Sequence, residues 1–154
     1  MLLGYVDDIW GWNFAADTND VLDHDGHGTH VAGIIASNPI RKPSVRGVAP
    51  NAVIMPCRFT ESPTSGYISA AIQCMEYAFD MGADIVSNSW GGAGAYSLAL
   101  EEAMIRASRN GMLQINAAGN SGVNNDVSPE NATYPAAFDT DIIISVAAID
   151  RDGK

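Results

Sequence analysis

Residues 83–120, ADIVSNSWGGAGAYSLALEEAMIRASRNGMLQINAAGN, decide the fold class. Ala83-Asp84-Ile85-Val86-Ser87-Asn88-Ser89 is an apolar run of strand length. Leu100, Ala103, Met104 and Ala107 then recur at i, i+3, i+4 and i+7, one face of a helix that Asn110-Gly111 stops. Met112-Leu113-Gln114-Ile115-Asn116-Ala117-Ala118 supplies the next strand. A strand, a helix and a strand at this spacing predict a βαβ crossover, and hence parallel pairing.

The same alternation extends both ways. Upstream, Val53-Ile54-Met55-Pro56-Cys57-Arg58-Phe59 reads as a strand that Pro56 weakens. Ile68, Ala71, Ile72, Met75 and Phe79 follow as a one-faced helix closed by Gly82. Downstream, Ile142-Ile143-Ile144-Ser145-Val146-Ala147-Ala148 adds another strand. No repeat or linker interrupts the series, so the expectation is a single α/β domain with a mainly parallel sheet.

Bulk properties agree. The chain has 154 residues, 47% hydrophobic and 17% charged, which excludes disorder, collagen and coiled coil. No run approaches 18 apolar residues, and Met1-Leu2-Leu3-Gly4-Tyr5 carries no basic n-region of a signal peptide. The net charge of −10 argues against nucleic acid or an anionic membrane as partner. Six aspartates precede the first base, Arg41, as a solvated face or a cation site. Cys57 and Cys74 read as two buried free thiols, which could pair only if the fold brought them close.

Parallel sheets bind ligands beyond the carboxyl ends of their strands. The expected strands end in Ser87-Asn88-Ser89-Trp90-Gly91-Gly92 and Ala118-Gly119-Asn120-Ser121-Gly122, segments of small and polar residues. A third such segment is Asp25-Gly26-His27-Gly28-Thr29-His30-Val31-Ala32-Gly33. Its glycines bracket His27, and Thr29 reads as the cap of the helix that Val31, Ile34 and Ile35 begin. An imidazole there suits a general base. His24, His27 and His30, spaced by three, also suggest a metal site, although zinc helices favour i, i+4. A purely structural histidine is the third reading. Gly91-Gly92-Ala93-Gly94 lacks the lysine and spacing of a phosphate loop.

Taken together, three blocks resemble those of the subtilisin-like serine peptidases, the subtilases. His27-Gly28-Thr29-His30-Val31-Ala32-Gly33 is similar to the block around the catalytic histidine. Ser87-Asn88-Ser89-Trp90-Gly91-Gly92 is similar to the substrate-binding strand, and Ala117-Ala118-Gly119-Asn120-Ser121-Gly122 to the oxyanion-hole block. Gly47-Val48-Ala49-Pro50 and Tyr134-Pro135-Ala136 are further markers, so the likeness runs from about Gly11 to Ile149. It implies a three-layer α/β fold, with a mainly parallel sheet flanked by helices.

The resemblance also implies roles. His27 is the expected general base and His30 a structural neighbour. Asn120 is the expected oxyanion donor. Ser89, Trp90 and Gly91 are expected to pair with an extended polypeptide substrate, and Gly91, Gly92, Ala117, Ala118 and Gly119 to wall the pocket before the scissile bond. Ser121 is a poor nucleophile in this setting.

Two triad members have no counterpart. No Asp-Ser/Thr-Gly ends an early strand, and no Gly-Thr-Ser follows Asn120. The expectation is therefore that residues 1–154 are the centre of a subtilase catalytic domain, incomplete at both ends, lacking the Asp strand and the Ser segment. Such a chain is expected to be inactive, and poorly soluble or molten, because the missing strand leaves apolar surface and strand edges uncovered. The alternative is a catalytically dead subtilase-like domain that binds peptides or serves as a scaffold.

The implied chemistry needs no cofactor. Family likeness adds structural calcium, for which Asp7, Asp8, Asp17, Asp20 and Asp23 are the oxygen donors at hand. The loop Ser37-Asn38-Pro39-Ile40-Arg41 departs from the family calcium loop at Arg41-Lys42. Asn131-Ala132-Thr133 fits a glycosylation acceptor. Secretion is the family expectation.

Overall fold

The computed structural model describes residue 5 and residues 8–39, 45–62, 65–126 and 130–153. Asp7 and the stretch from Ile40 to Lys42 lie outside them. The chain forms two compact units, Met1–Ala70 and Ala71–Lys154.

In the first unit, β1 (Trp12–Asn13) pairs in parallel with β2 (Cys57–Arg58). The strand expected over residues 53–59 shrinks to those two residues, and Val53 is 94% exposed. Pro56 has no N–H for a ladder. Its carbonyl packs on Gly11 (φ 111°), where a Cβ would collide with it. Asn13 is buried and ties down the following turn. Its Oδ1 accepts from the Ala15 and Ala16 amides, and its Nδ2 donates to the Asp20 carbonyl. Tyr5 lies 5.1 Å from Trp12 and 5.6 Å from Phe14, ring centre to ring centre. Helix α1 (His27–Ala36) and the β3–β4 hairpin (Thr60–Ser62, Ser65–Gly66) complete the unit.

The second unit holds the crossover expected from sequence. Helix α2 (Ile68–Asp80), which the unit boundary cuts near its start, ends before Gly82 at φ 80°. There follow β5 (Ile85–Asn88), β6 (Gly92–Ala93), α3 (Leu98–Arg109), β7 (Leu113–Ala117), β8 (Thr133–Tyr134) and β9 (Ile143–Val146). The sheet order is β5-β7-β9, all parallel, with Ile85 opposite Leu113 and Gln114 opposite Ile143. The two-stranded β6–β8 ribbon is antiparallel.

Leu100, Ala103, Met104 and Ala107, the periodic set, are the buried residues of α3. Ser97 caps the helix by accepting the Leu100 amide, and Arg106 and Arg109 face its negative end. Arg106 also reaches Glu76 on α2 at 2.8 Å, an exposed pair worth about 0–1 kcal/mol. Side chains alternate along the sheet. Gln114 and Asn116 are fully buried, whereas Ile85, Leu113, Ile144 and Val146 lie 40–60% exposed.

One expectation fails outright. Neither cysteine is a free thiol: Cys57 and Cys74 are both disulfide-bonded.

Candidate active site

In the second unit, β5 and β7 run side by side, with Asn88, the last residue of β5, opposite Asn116, one residue before the end of β7. The chain leaves β5 as Ser89-Trp90-Gly91-Gly92 and leaves β7 as Ala118-Gly119-Asn120. Both exits close on Thr133, which the sequence assigns to a glycosylation acceptor and not to the site. A Cβ on Gly91 would lie 2.7 Å from the Thr133 methyl, and one on Gly119 would lie 2.5 Å from its hydroxyl oxygen. Any larger residue would push the wall outward. Glycine is required twice over at 119, because φ there is 103°.

Asn125 locks the arrangement. Its Nδ2 donates to the Ala118 carbonyl at 3.1 Å, and its Oδ1 accepts the Thr133 amide at 3.0 Å. The Ala118 amide donates to the Val146 carbonyl, extending the β7–β9 ladder by one step. Gly92 pairs with Tyr134 across the β6–β8 ribbon, and the Gly94 amide donates to the Ala132 carbonyl. Tyr134 packs beside Phe138 and Tyr96, with ring centres 5.3 and 5.5 Å away, and precedes the cis peptide to Pro135.

The outcome is a rigid two-sided wall, with the Asn120 side chain exposed at its rim. Of the expected binding residues, Ser89, Trp90, Gly91, Gly92, Ala118, Gly119 and Asn120 all belong to these two strand exits. A buried side-chain network lies beneath them. Asn88 donates to Asn116 at 2.8 Å and accepts the Trp90 indole N–H at 3.1 Å.

His27 belongs to the first unit, where its surroundings differ from those expected. It is the first residue of α1 and is exposed, as are His24 and His30. Thr29 is not the cap: Gly26, at φ 90°, holds the cap position without a side-chain bond. The free amides of the first turn are instead served by Asp23. Its Oδ2 accepts from the Thr29 hydroxyl at 2.6 Å and the Thr29 amide at 2.8 Å, and its Oδ1 from the Gly26 and Asp25 amides at 2.8 and 3.0 Å. These bonds, the Thr29 hydroxyl foremost, hold the Asp23 carboxyl far below the ordinary carboxylate range. His27 is thus carried on a loop that one carboxylate clamps on both sides.

The other expected calcium ligands have local tasks. Asp8 accepts the Gly11 amide, Asp17 the Trp12 indole N–H, and Asp20 the Leu22 amide. Among the described residues no group of three or more His, Cys, Asp or Glu side chains converges, whether around these carboxylates or around the three histidines.

Sequence could have flagged Thr133, which adjoins the Tyr134-Pro135 marker. Nothing in the sequence alone set Asn88 beside Asn116, because that contact depends on register.

Comparison with known proteins bears on the whole chain. The sequence profile of the subtilase family, peptidase S8, matches residues 4–154. Subtilisin DY of Bacillus licheniformis is 36% identical over 144 residues, which covers 94% of this chain and 50% of that protein. The major intracellular serine protease of Bacillus subtilis (strain 168) is 36% identical over 149 residues, covering 94% and 46%. Among solved structures, sphericase superposes with a TM-score of 0.76 at 28% identity, over 92% of this chain and 47% of that one. The chain spans about half the length of the curated relatives it matches.

Proposed function

The chain belongs to the subtilase family, and from that membership we propose that residues 1–154 are the central part of a serine endopeptidase domain. The polypeptide substrate lies extended along Ser89-Trp90-Gly91, and the residue before the scissile bond enters between Gly91-Gly92 and Ala118-Gly119. His27 acts as general base. It takes the proton of a serine hydroxyl as that oxygen bonds to the carbonyl carbon, then returns it to the leaving amine as the C–N bond breaks. Asn120 donates its side-chain amide to the oxyanion while the tetrahedral intermediate lasts. The serine and the aspartate that orients His27 come from sequence outside these 154 residues.

The observation that carries this reading is the closure of both strand exits on Thr133, with Asn120 at the rim. Glycine at 91 and 119 lets both exits pack directly against Thr133, because a Cβ at either position would collide with it.

Residues 1–154 alone should leave unfolded casein intact. Turnover by this chain that disappears in His27→Ala would refute the assignment of the nucleophile elsewhere. In a longer form carrying the serine and aspartate, His27→Ala should abolish cleavage. Asn120→Ala should lower kcat by about 10²–10³, as loss of the oxyanion-hole asparagine does in subtilisin itself. A longer form that binds peptides without cleaving them would instead make this a scaffold.

The described helices include none long and apolar enough to cross a membrane. We place the protein in an oxidising compartment, because both cysteines are in disulfide form and disulfides seldom persist in a reducing cytosol. Thiol titration of the denatured, unreduced protein should find no free thiol; two would reverse the placement.

A further inference from the structure

The buried amides of β5 and β7 are out of character for a parallel sheet, whose interior strands are ordinarily apolar. Asn88 is 4% exposed, and Gln114 and Asn116 are 0% exposed. The Asn116 Nδ2 and the Gln114 Nε2 have no hydrogen-bond partner among the described residues. Buried donors left this way are unfavourable, so packing alone does not account for the cluster. The oxygen ends of the same side chains, however, are both engaged. Asn88 Nδ2 donates to Asn116 Oδ1 at 2.8 Å and, more weakly, to Gln114 Oε1 at 3.4 Å. Asn88 Oδ1 is thereby turned the other way, where it accepts the Trp90 indole N–H at 3.1 Å.

The chain of bonds has a direction. The two acceptor oxygens on β7 fix which end of the Asn88 amide points toward β7. If Asn88 were rotated by half a turn, its NH₂ would face the indole N–H, donor against donor, and that hydrogen bond would be lost. We infer that Asn88 and Asn116 are positioning residues: they set the orientation of Trp90, and through it the Ser89-Trp90-Gly91 segment that receives an extended peptide. This inference rests on the proposed role of that segment. In substance, β7 controls the shape of the segment that leaves β5.

The test uses the 154-residue chain, ¹⁵N-labelled, with Trp90→Phe to assign the Trp90 indole signal. Trp12, whose indole N–H is held by Asp17 in the other unit, is an internal control for folding. Trp10, 75% exposed, sets the unprotected limit. In the unaltered chain the Trp90 indole should exchange with solvent at least about tenfold more slowly than that of Trp10, the ratio expected for one good hydrogen bond. Equal rates in a chain whose β5, β7 and β9 amides are themselves protected would overturn the inference with no variant needed. Asn116→Leu should raise the Trp90 rate roughly tenfold and leave Trp12 unchanged. Asn116→Asp, which keeps an acceptor oxygen in either ionisation state, should restore protection. An unchanged Trp90 rate in a folded Asn116→Leu chain would also overturn it.

A second arm separates the network from its use. Acetyl-tetra-alanine amide is titrated into the same chains, and the Ser89 to Gly91 amides are followed. Shifts in the unaltered chain that weaken in Asn116→Leu support the inference, and equal shifts in both refute the functional half. If protection behaves as expected but no peptide shift occurs in either chain, the peptide-strand reading fails and the functional half falls with it.

Discussion

One carboxylate, Asp23, accepts four hydrogen bonds from residues on both sides of His27. Its pKa is depressed in the folded chain, so its stabilising effect is fully present above the ordinary value of 3.8 and is lost as the pH falls below that toward the depressed value. The amides of Gly26 and Thr29 should therefore stay protected from exchange at neutral pH and lose protection only in strong acid. Asp23→Ala should expose them at every pH. A carboxyl titration of Asp23 with its midpoint at 3.8 or above would contradict this. Sequence located the His27 loop but credited Thr29 with the cap, because a Thr beside a helical pattern is the usual signal. The true partner sits six residues before Thr29, and an Asp at that distance is not distinguishable by eye from its acidic neighbours.

Elements were legible in proportion to their length and periodicity. Helix α3 declared itself through Leu100, Ala103, Met104 and Ala107 and through its stop at Asn110-Gly111, whereas its cap, Ser97, emerges only from the structure. Ser97→Ala should cost about 1 kcal/mol and lower Tm by about 2–4 °C. Leu100→Ala, at a position with no exposed surface, should cost about 2–5 kcal/mol in a denaturant melt. A loss under about 1 kcal/mol would mean that the α3 interface is loosely packed. The pairs β1–β2 and β6–β8 escaped notice because two residues carry no period. They are held by partners far along the chain, as Gly92 is by Tyr134. The expected strand at residues 53–59 failed for a related reason: apolar residues alone do not make a ladder where Pro56 lacks a donor. For the site, the strand exits and their glycines could be read, and Thr133 could have been flagged beside Tyr134-Pro135, but Asn125 and the Asn88–Asn116 bond could not, since each depends on which distant segments meet.

At the scale of the whole molecule, two surface properties pull in opposite directions. A net charge of −10 keeps copies apart, whereas Ile85, Leu113, Ile144 and Val146 leave an apolar sheet face accessible. Salt screens the first and strengthens the second. The chain should thus bind the dye ANS and stay dispersed at low ionic strength, and it should associate as sodium sulfate is added. Ile144→Thr with Val146→Thr should reduce both dye binding and association. A sharp melt with no dye binding would show that this face is covered in solution.

The β5-β7-β9 order also sets a timetable. Leu113 lies 28 residues after its partner Ile85, and Ile143 lies 29 residues after Gln114. A ribosome adds about 5–20 residues per second, so each strand waits roughly 1.5–6 s for its neighbour to be made. Pairing that depends on such distant partners is also intrinsically slow. During synthesis the β5 edge stands open, and the charged α3 that follows it, with Glu101, Glu102, Arg106 and Arg109, is the nearest soluble cover the nascent chain can offer.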